Sequence, residues 1–586
     1  MKTHLTVAAL LALTATACKD EPGGNDAGQQ PLPFISDPLR ADAGCDWGQW
    51  GQNWAHTGQS CAAAQGLGQA LATITVDPFV DQEMAESAGF YGRDGLLIHY
   101  ASPLPVGDDL YMAVKRGTYP SCAVPGEVNP SPPCGLYAWD EPTWTVEHHA
   151  WVSGSLQLQA SYPSTWKPPP FQAVRGWEPV FQPAVQGNVV WVPAAGGTVV
   201  RLDRQLGNAT VIDPFGSANS QRYVTGPLVV DADGTLLYNV IELDPMLPTS
   251  GDARAGYLVR VPTSGAPTKV EYRNIVSGAP AATAQCPYTF AAGNIPGPYP
   301  ASVPVPMGPC GTQRPGWNSG PAIGPGGVIF VVSRAHYGPN DTSLVALNPD
   351  LSPKWTFRMR EILDDGCFVL ATSCRSGAPR GVDPSNGLRP TVGVSDQGSS
   401  VPVALPDGAV LYGGFSAYNG ARGHLVKVSP TGQLMGTYDF GWDVTPAVWR
   451  HGDTYSIVTK DNHYFDAQGN EGPYNMTQLS RDLGIEWRYT STETRSCSTL
   501  PDAGLDCVSD HPDGFEWCVN APAVSPDGTV YANNEDGRVY SIRQGGTQLE
   551  QRFLLQSLGA AYTPIAIDSQ GRIYSMNGGV MTVVGQ

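Results

Sequence analysis

Twelve cysteines stand in a chain of 586 residues, and they are the first residues whose chemistry can be read. Neighbours along the chain pair as Cys45–Cys61, Cys122–Cys134, Cys286–Cys310 and Cys367–Cys374. Three remain near the C-terminus. Cys497, Cys507 and Cys518 supply one bridge, taken as Cys497 with Cys507, and one leftover thiol, although sequence leaves that connectivity open. No Cys-x-x-Cys occurs, which disfavours a zinc ribbon or a thioredoxin-type redox pair. His148 and His149 are adjacent, so on a strand they face opposite sides and make no joint metal site. Asp231-Ala-Asp233-Gly234 carries glycine fourth, whereas a calcium hand needs it sixth, so a hairpin turn is expected there. No metal site is expected. Cys–His nucleophiles and a Gly-x-Ser-x-Gly elbow both lack support.

A second set of residues could hold a ligand. Trp317, Asn318, Ser400, Asp443, Asn520 and Tyr562 each lie just ahead of a recurring proline, with Ser399, Thr445 and Thr563 beside them. Trp177 and Glu178 stand slightly further out. An aromatic face, amides and a carboxylate could bind a polar planar ligand or a sugar. The bland alternative is a solvated lining.

The elements that must position them are repeats. A motif of small polar residue, proline, short strand, turn and strand recurs as GPLVVDADGTLLYNV from Gly226, GPAIGPGGVIFVV from Gly320 and VPVALPDGAVLYGG from Val401. It returns as APAVSPDGTVYANN from Ala521 and TPIAIDSQGRIYSM from Thr563, with weaker copies from Ser102, Gln182 and Thr445. The eight anchors are Pro103, Pro183, Pro227, Pro321, Pro402, Pro446, Pro522 and Pro564, spaced 80, 44, 94, 81, 44, 76 and 42 residues apart. The short spacings match a propeller blade of roughly 40–45 residues, and the long ones are blades with inserted loops. A blade parses as strand, Asp-Gly turn, strand, turn and strand (Pro522 to Ile542), with a fourth strand such as Lys354 to Phe357. Four strands repeated radially make an all-β, eight-bladed β-propeller. Trp144, Trp355 and Trp487 recur at blade ends and are expected to pack between blades. The last unit has room for about three strands, so Ala70 to Val76 is expected to close it and hide its edge.

Composition agrees. With 68 glycines and 53 prolines, long helices cannot persist, while 15 Trp, 24 Tyr and 15 Phe exclude a disordered chain. A net charge of −19 repels phosphate backbones and acidic lipids, which excludes general nucleic-acid binding. No apolar run long enough to span a bilayer follows the N-terminus.

Residues 1–17 read as a secretory signal: Lys2, then an apolar Leu5 to Leu13 too short to span. The small residues before Cys18 resemble a bacterial lipobox, with Ala15 where Leu is usual, so Cys18 is expected to carry lipid; Ala15-x-Ala17 also fits ordinary cleavage. Residues 18–44, polar and rich in Gly and Pro, read as a flexible tether, and residues 45–586 as the propeller.

The repeats resemble the PQQ-like repeats of quinoprotein-type propellers, on Ser343 to Asn348 leading to Trp355 and on Gly528 to Ala532 leading to Gly537 to Ser541. Trp50 to Gly58 also looks like the segment that precedes the first blade in that family. The family contains calcium- and quinone-dependent dehydrogenases and non-catalytic lipoproteins, such as the propeller subunit of the outer-membrane barrel-assembly machinery. Departures weigh against catalysis: no adjacent cysteines, no Cys-x-x-Cys-His, and Asn348 for Asp in a degraded docking motif. The resulting expectation is a monomeric, exported, lipid-anchored scaffold at the outer membrane or cell surface. It binds an envelope protein or a glycan, with no cofactor and no membrane contact beyond the lipid. The alternatives are a PQQ- and calcium-dependent alcohol or sugar dehydrogenase, for which Asp443, Glu178, Asn318 and Trp317 are the best residues, and a propeller that binds or degrades polysaccharide.

Overall fold

The computed structural model describes residues 45–586 apart from 93–94, 97, 175–176, 246–251, 289–301, 303, 339, 370–373, 417–421, 443, 464–471, 501–503 and 557–563. Cys18, Asp443 and Tyr562, and the signal and tether segments, lie outside the described residues.

Eight antiparallel sheets follow one another along the chain. The first comprises Leu104–Val106, Asp109–Arg116, Thr143–Val152 and Ser155–Pro163, paired in that order. The same up-and-down order is repeated from Ala184, Arg222, Ala322, Val403, Ala447, Ala523 and Ile565. In the fourth sheet Gln313–Arg314 shares the innermost position with Ala322–Ile323, both pairing with Ile329–Ala335. The innermost strands of the first and eighth sheets touch, which closes the ring. Seven anchor prolines stand just before an innermost strand, and Pro227 lies inside Arg222–Val230 where the register shifts between Thr225 and Val229; at such places a missing N–H removes no bond from an outer neighbour.

Burial falls from the axis outward. Leu236–Leu243 is buried at every position, because a blade is covered on both faces by its neighbours. The outermost Thr547–Phe553 is mostly exposed. Tryptophans lock adjacent blades: Trp355 Nε1 donates to Pro430 O of the next blade at 2.9 Å, and Trp449 Nε1 to Pro526 O at 3.2 Å. The Asp527-Gly528 turn needs its glycine twice over. Gly528 has φ +85°, and a Cβ there would lie 2.6 Å from the Trp449 ring.

The eighth sheet is completed by Gln69–Thr75, which pairs with Val580–Gly585. The expected closure is therefore present, and the edge that the C-terminal strand would expose is covered.

The segment before that strand does more. It hydrogen-bonds to the innermost part of every sheet in order. Trp47 N donates to Pro105 O, Gly48 O accepts from Val185 N, Trp54 O from Ile323 N, Ala55 O from Ala404 N, Thr57 O from Val448 N, and Gly58 O from Val524 N. Gln65 N then donates to Gly571 O of the eighth sheet. At the third sheet the Gln49 amide replaces backbone, donating to Val230 O at 3.0 Å and accepting from Val230 N at 2.9 Å. The segment is a collar around the axis. A Cβ at Gly48 would lie 2.3 Å from Val185 O, so only glycine allows that approach. Trp50 packs on the axis with Ala101, Val180, Val401 and Ala521, residues from four different blades.

Alternation of strands puts all connections at two ends. At one end they are short: 107–108, 187–188, 231–235, 324–328, 405–409, 452–453, 525–529 and 568–572 between first and second strands. At the other end lie the long ones: 117–142, 164–183, 272–321, 359–402 and 491–522. The disulfides Cys122–Cys134, Cys286–Cys310, Cys367–Cys374 and Cys497–Cys507 all pin this long-loop face, and Cys45–Cys61 ties the collar. Cys518 is a buried free thiol.

Candidate functional site

The described residues expected at a channel mouth are buried. Trp317, Asn318, Ser400 and Asn520 are each at most 3% exposed. Asn318 Oδ1 accepts from Val180 N at 2.9 Å and its Nδ2 donates to Gly398 O at 2.8 Å, so one amide ties together the lead-ins of three blades. Asn520 Oδ1 accepts from Thr445 N at 2.7 Å, and its amide nitrogen meets Ser399 Oγ. Ser400 contributes its carbonyl, which accepts from Ser319 Oγ at 3.0 Å. Trp317 lies edge-on to Tyr223 with Arg314 over its ring. In place of an open ring of ligand groups, the structure gives these four residues a packing role. The reason is closure: eight lead-ins converge on the axis, and their polar side chains satisfy one another's backbone. His99 shows the convergence, with Nε2 3.1 Å from Gln397 O at the lead-in of the opposite blade.

Glu178 is engaged elsewhere. Lys115 Nζ lies 2.8 Å from Asp77, 2.7 Å from Glu83 and 2.8 Å from Glu178, all four side chains being buried. Burial pushes Glu178 up to about 7; the lysine opposes this and Asp77 reinforces it. Burial likewise raises Glu83, against Lys115 and with Asp77 and Glu178. Lys115 would be lowered by burial, yet the three carboxylates hold it well above its ordinary value. Three carboxylates against one ammonium leave an excess of negative charge. Beside them is a cavity of about 20 Å³, enough for one water. Glu83 Oε2, Ser87 Oγ and Tyr119 Oη are buried on its lining without hydrogen-bond partners.

A second buried network holds the fourth and fifth blades together. Arg314 grips Asp396 with its two terminal guanidinium nitrogens, at 2.8 and 2.6 Å, and Arg334 adds a contact of 2.9 Å. Burial would raise the Asp396 carboxyl, but the two arginines hold it well below the usual range.

Two clusters have metal-ligand composition among the described residues. In Cys122, Glu127 and Cys134 the sulfurs form a disulfide and are not available. In Glu516, Cys518 and Glu535 the thiol lies 3.1 Å from Glu535 Oε1, and burial followed by the charges of Glu535 and Glu516 pushes it up, so it stays protonated. The first cluster is closed to a metal by its disulfide. His148 and His149 bond to different carboxylates, Asp109 and Glu147.

An open cleft of about 400 Å³ lies on the long-loop face, away from the axis. Its walls are the disulfide-pinned insertion of the first blade, the connection to the second, the 194–198 turn, and the entry to the third. Trp139 and Trp166 form the buried floor, and their indole N–H groups are spent on Pro169 O and Val224 O. Tyr137 and Tyr223 are half-buried, and Asp140 is exposed. Sequence reading missed these residues. Tyr137-Ala-Trp139-Asp140 inside a cysteine-bounded insertion was an available signal, but the residues that meet it are up to 86 positions away.

No family model matches the sequence, and no curated protein matches it. Solved structures with a similar fold include a europium-containing methanol dehydrogenase (TM-score 0.48, 12% identity, covering 92% of this chain and 90% of that one). BamB from Moraxella catarrhalis has TM-score 0.38 at 12% identity, covering 88% of this chain and 99% of that one. The quinohemoprotein alcohol dehydrogenase from Comamonas testosteroni has TM-score 0.44 at 12% identity, covering 93% and 78%. The chain's own strand order and closed ring establish the eight-bladed propeller.

Proposed function

We propose that this chain is an exported, lipid-anchored propeller that holds a protein or glycan partner on its long-loop face, without chemistry of its own. The observation that carries the reading is the asymmetry of the disc. Every long connection, and four of the five disulfides, sits at one end of the blades. The described chain enters at the other end, where Gly107 N of a short turn donates to Asp46 Oδ1 at 3.0 Å. The lipid on Cys18 precedes this entry point in the chain. Five disulfides support folding in an oxidising compartment.

The quinone-dependent alternative fits the residues poorly. It needs a carboxylate, an amide and an aromatic floor turned toward one space. Among the described residues, Glu178 is committed to Lys115, Asn318 to Val180 and Gly398, and Trp317 is buried against Tyr223. Polysaccharide cleavage needs two carboxylates flanking the scissile bond, and the cleft's lining offers Asp140 alone.

The test is site-specific photo-crosslinking in envelope membranes. A crosslinker at exposed Leu505, on the long-loop face, is expected to capture a partner, while one at exposed Asp453, in a short turn, is not. Equal capture from both sites sinks the reading. So does dye-linked alcohol oxidation after loading with PQQ and calcium.

A further inference from the structure

We propose that the cleft walled by Tyr137, Asp140, Gln221 and Tyr223 is a saccharide-binding subsite that takes a neutral, hydroxyl-rich chain. This rests on the reading of the long-loop face as the binding surface and names the ligand class for one part of it.

The free polar groups define the chemistry. Among the described residues, the Asp140 carboxylate has no hydrogen-bond or ion-pair partner, and neither do the Tyr137 and Tyr223 hydroxyls. Gln221 Oε1 is buried without a partner, a state that costs about 1–3 kcal/mol unless something donates to it. These are acceptors and hydroxyls, set beside the half-buried rings of Tyr137 and Tyr223. A sugar offers the complement: hydroxyl donors around its rim and C–H faces for the aromatic surface. The volume of about 400 Å³ falls in the range of small-ligand sites.

The cationic residues in the lining point the same way. Lys167 Nζ donates to the carbonyls of Asp140, Glu141 and Pro142, at 2.5, 3.3 and 2.8 Å, which uses its three donors. Arg222 is held by Glu242 and the Ser217 carbonyl. Both cations are already engaged by neighbouring groups, and two fixed positive charges disfavour a cationic peptide. The acidic influence of Asp140 does reach across the cleft: burial first, then that carboxylate, pushes the Tyr223 hydroxyl up to about 12.

The site is also rigid before any ligand arrives. The Cys122–Cys134 bridge ties the insertion, Trp139 and Tyr137 stand edge-on to Phe171, and Ala195 N is held by Thr165 Oγ1. Little ordering remains to oppose binding.

The experiment uses the full chain, with saturation-transfer NMR on maltotriose, cellotriose and chitotriose, and co-sedimentation with insoluble cellulose and chitin. Asp140→Ala and Gln221→Ala are each expected to weaken binding about tenfold, the worth of one hydrogen bond with its orphaned partner. Asp140 is exposed and supports nothing else through its carboxylate, so D140A leaves the fold intact. Trisaccharide signals lost in D140A support a site for free saccharide. Co-sedimentation alone, lost in D140A, supports a polymer. Binding that both variants retain overturns the proposal, and so does the absence of both signals or binding only of an arginine-rich peptide. Crosslinking from Leu505 reads the broader function separately, so a failed cleft with intact crosslinking leaves the binding propeller standing.

Discussion

Lys115 Nζ lies 2.8 Å from Glu178 Oε2, and this contact pins the second strand of the first blade to the connection that enters the second blade. Glu83 and Asp77 share the same ammonium. The cluster therefore joins three parts of the chain on the long-loop side of the ring.

Its pH dependence has a definite sign. Glu178 has an ordinary value of 4.5 and is raised to about 7 when folded. The folded state thus holds the proton more tightly, and the associated stability is complete below pH 4.5 and lost as pH rises through about 7. Glu178→Gln cannot titrate. Its thermal midpoint relative to the parent chain is expected to climb between pH 5 and pH 8. A difference that stays flat across that window would contradict the assignment.

Asp396 has the opposite sign. Its folded value is depressed by Arg314 and Arg334, so its stabilisation is present above its ordinary value of 3.8 and lost as pH falls through the lower folded value. Asp396→Asn leaves two buried guanidinium groups without their anion, at a cost of about 3–5 kcal/mol. Urea unfolding at pH 7 measures that loss, and the variant should show less additional weakening than the parent on acidification toward pH 3.

The collar can be tested at Gln49. Its amide serves Val230 as a strand would, inside the ring. Gln49→Ala strands a backbone N–H and a carbonyl, and about 2–4 kcal/mol of unfolding free energy should disappear. A loss below half a kcal/mol would mean that the collar is not coupled to the blades.

Thiol counting tests both the cross-links and the lipid. Cys518 is buried and the ten other described cysteines are paired. Native protein should bind no maleimide at Cys518. Unfolded without reductant, membrane-extracted protein should bind one equivalent if Cys18 is acylated and two if it is free.

Much of the fold could be read before any coordinates. The anchor prolines and Asp-Gly turns are local devices: a residue without N–H where a strand begins, and a residue tolerant of positive φ where it reverses. The prolines, repeated eight times, fix the number of blades. The strand at Gln69–Thr75 was legible because the last unit lacked one. Trp355 packs between blades, as its recurrence at blade ends implied.

The site was not legible in the same way. Asn318 and Asn520 have the composition of ligand groups, yet their partners are backbone atoms at Val180, Gly398 and Thr445, supplied by other blades. The collar has no periodicity of its own, because each of its residues answers to a different blade, up to several hundred positions away. Asp140 and Gln221 become neighbours only through three blades and a pinned insertion. Sequence by itself determined the elements and their number, since strand, turn and repeat are set by residues a few positions apart. Tertiary structure alone decided which polar groups are spent and which remain free, because hydrogen-bond satisfaction on the axis and in the cleft is a property of the closed ring.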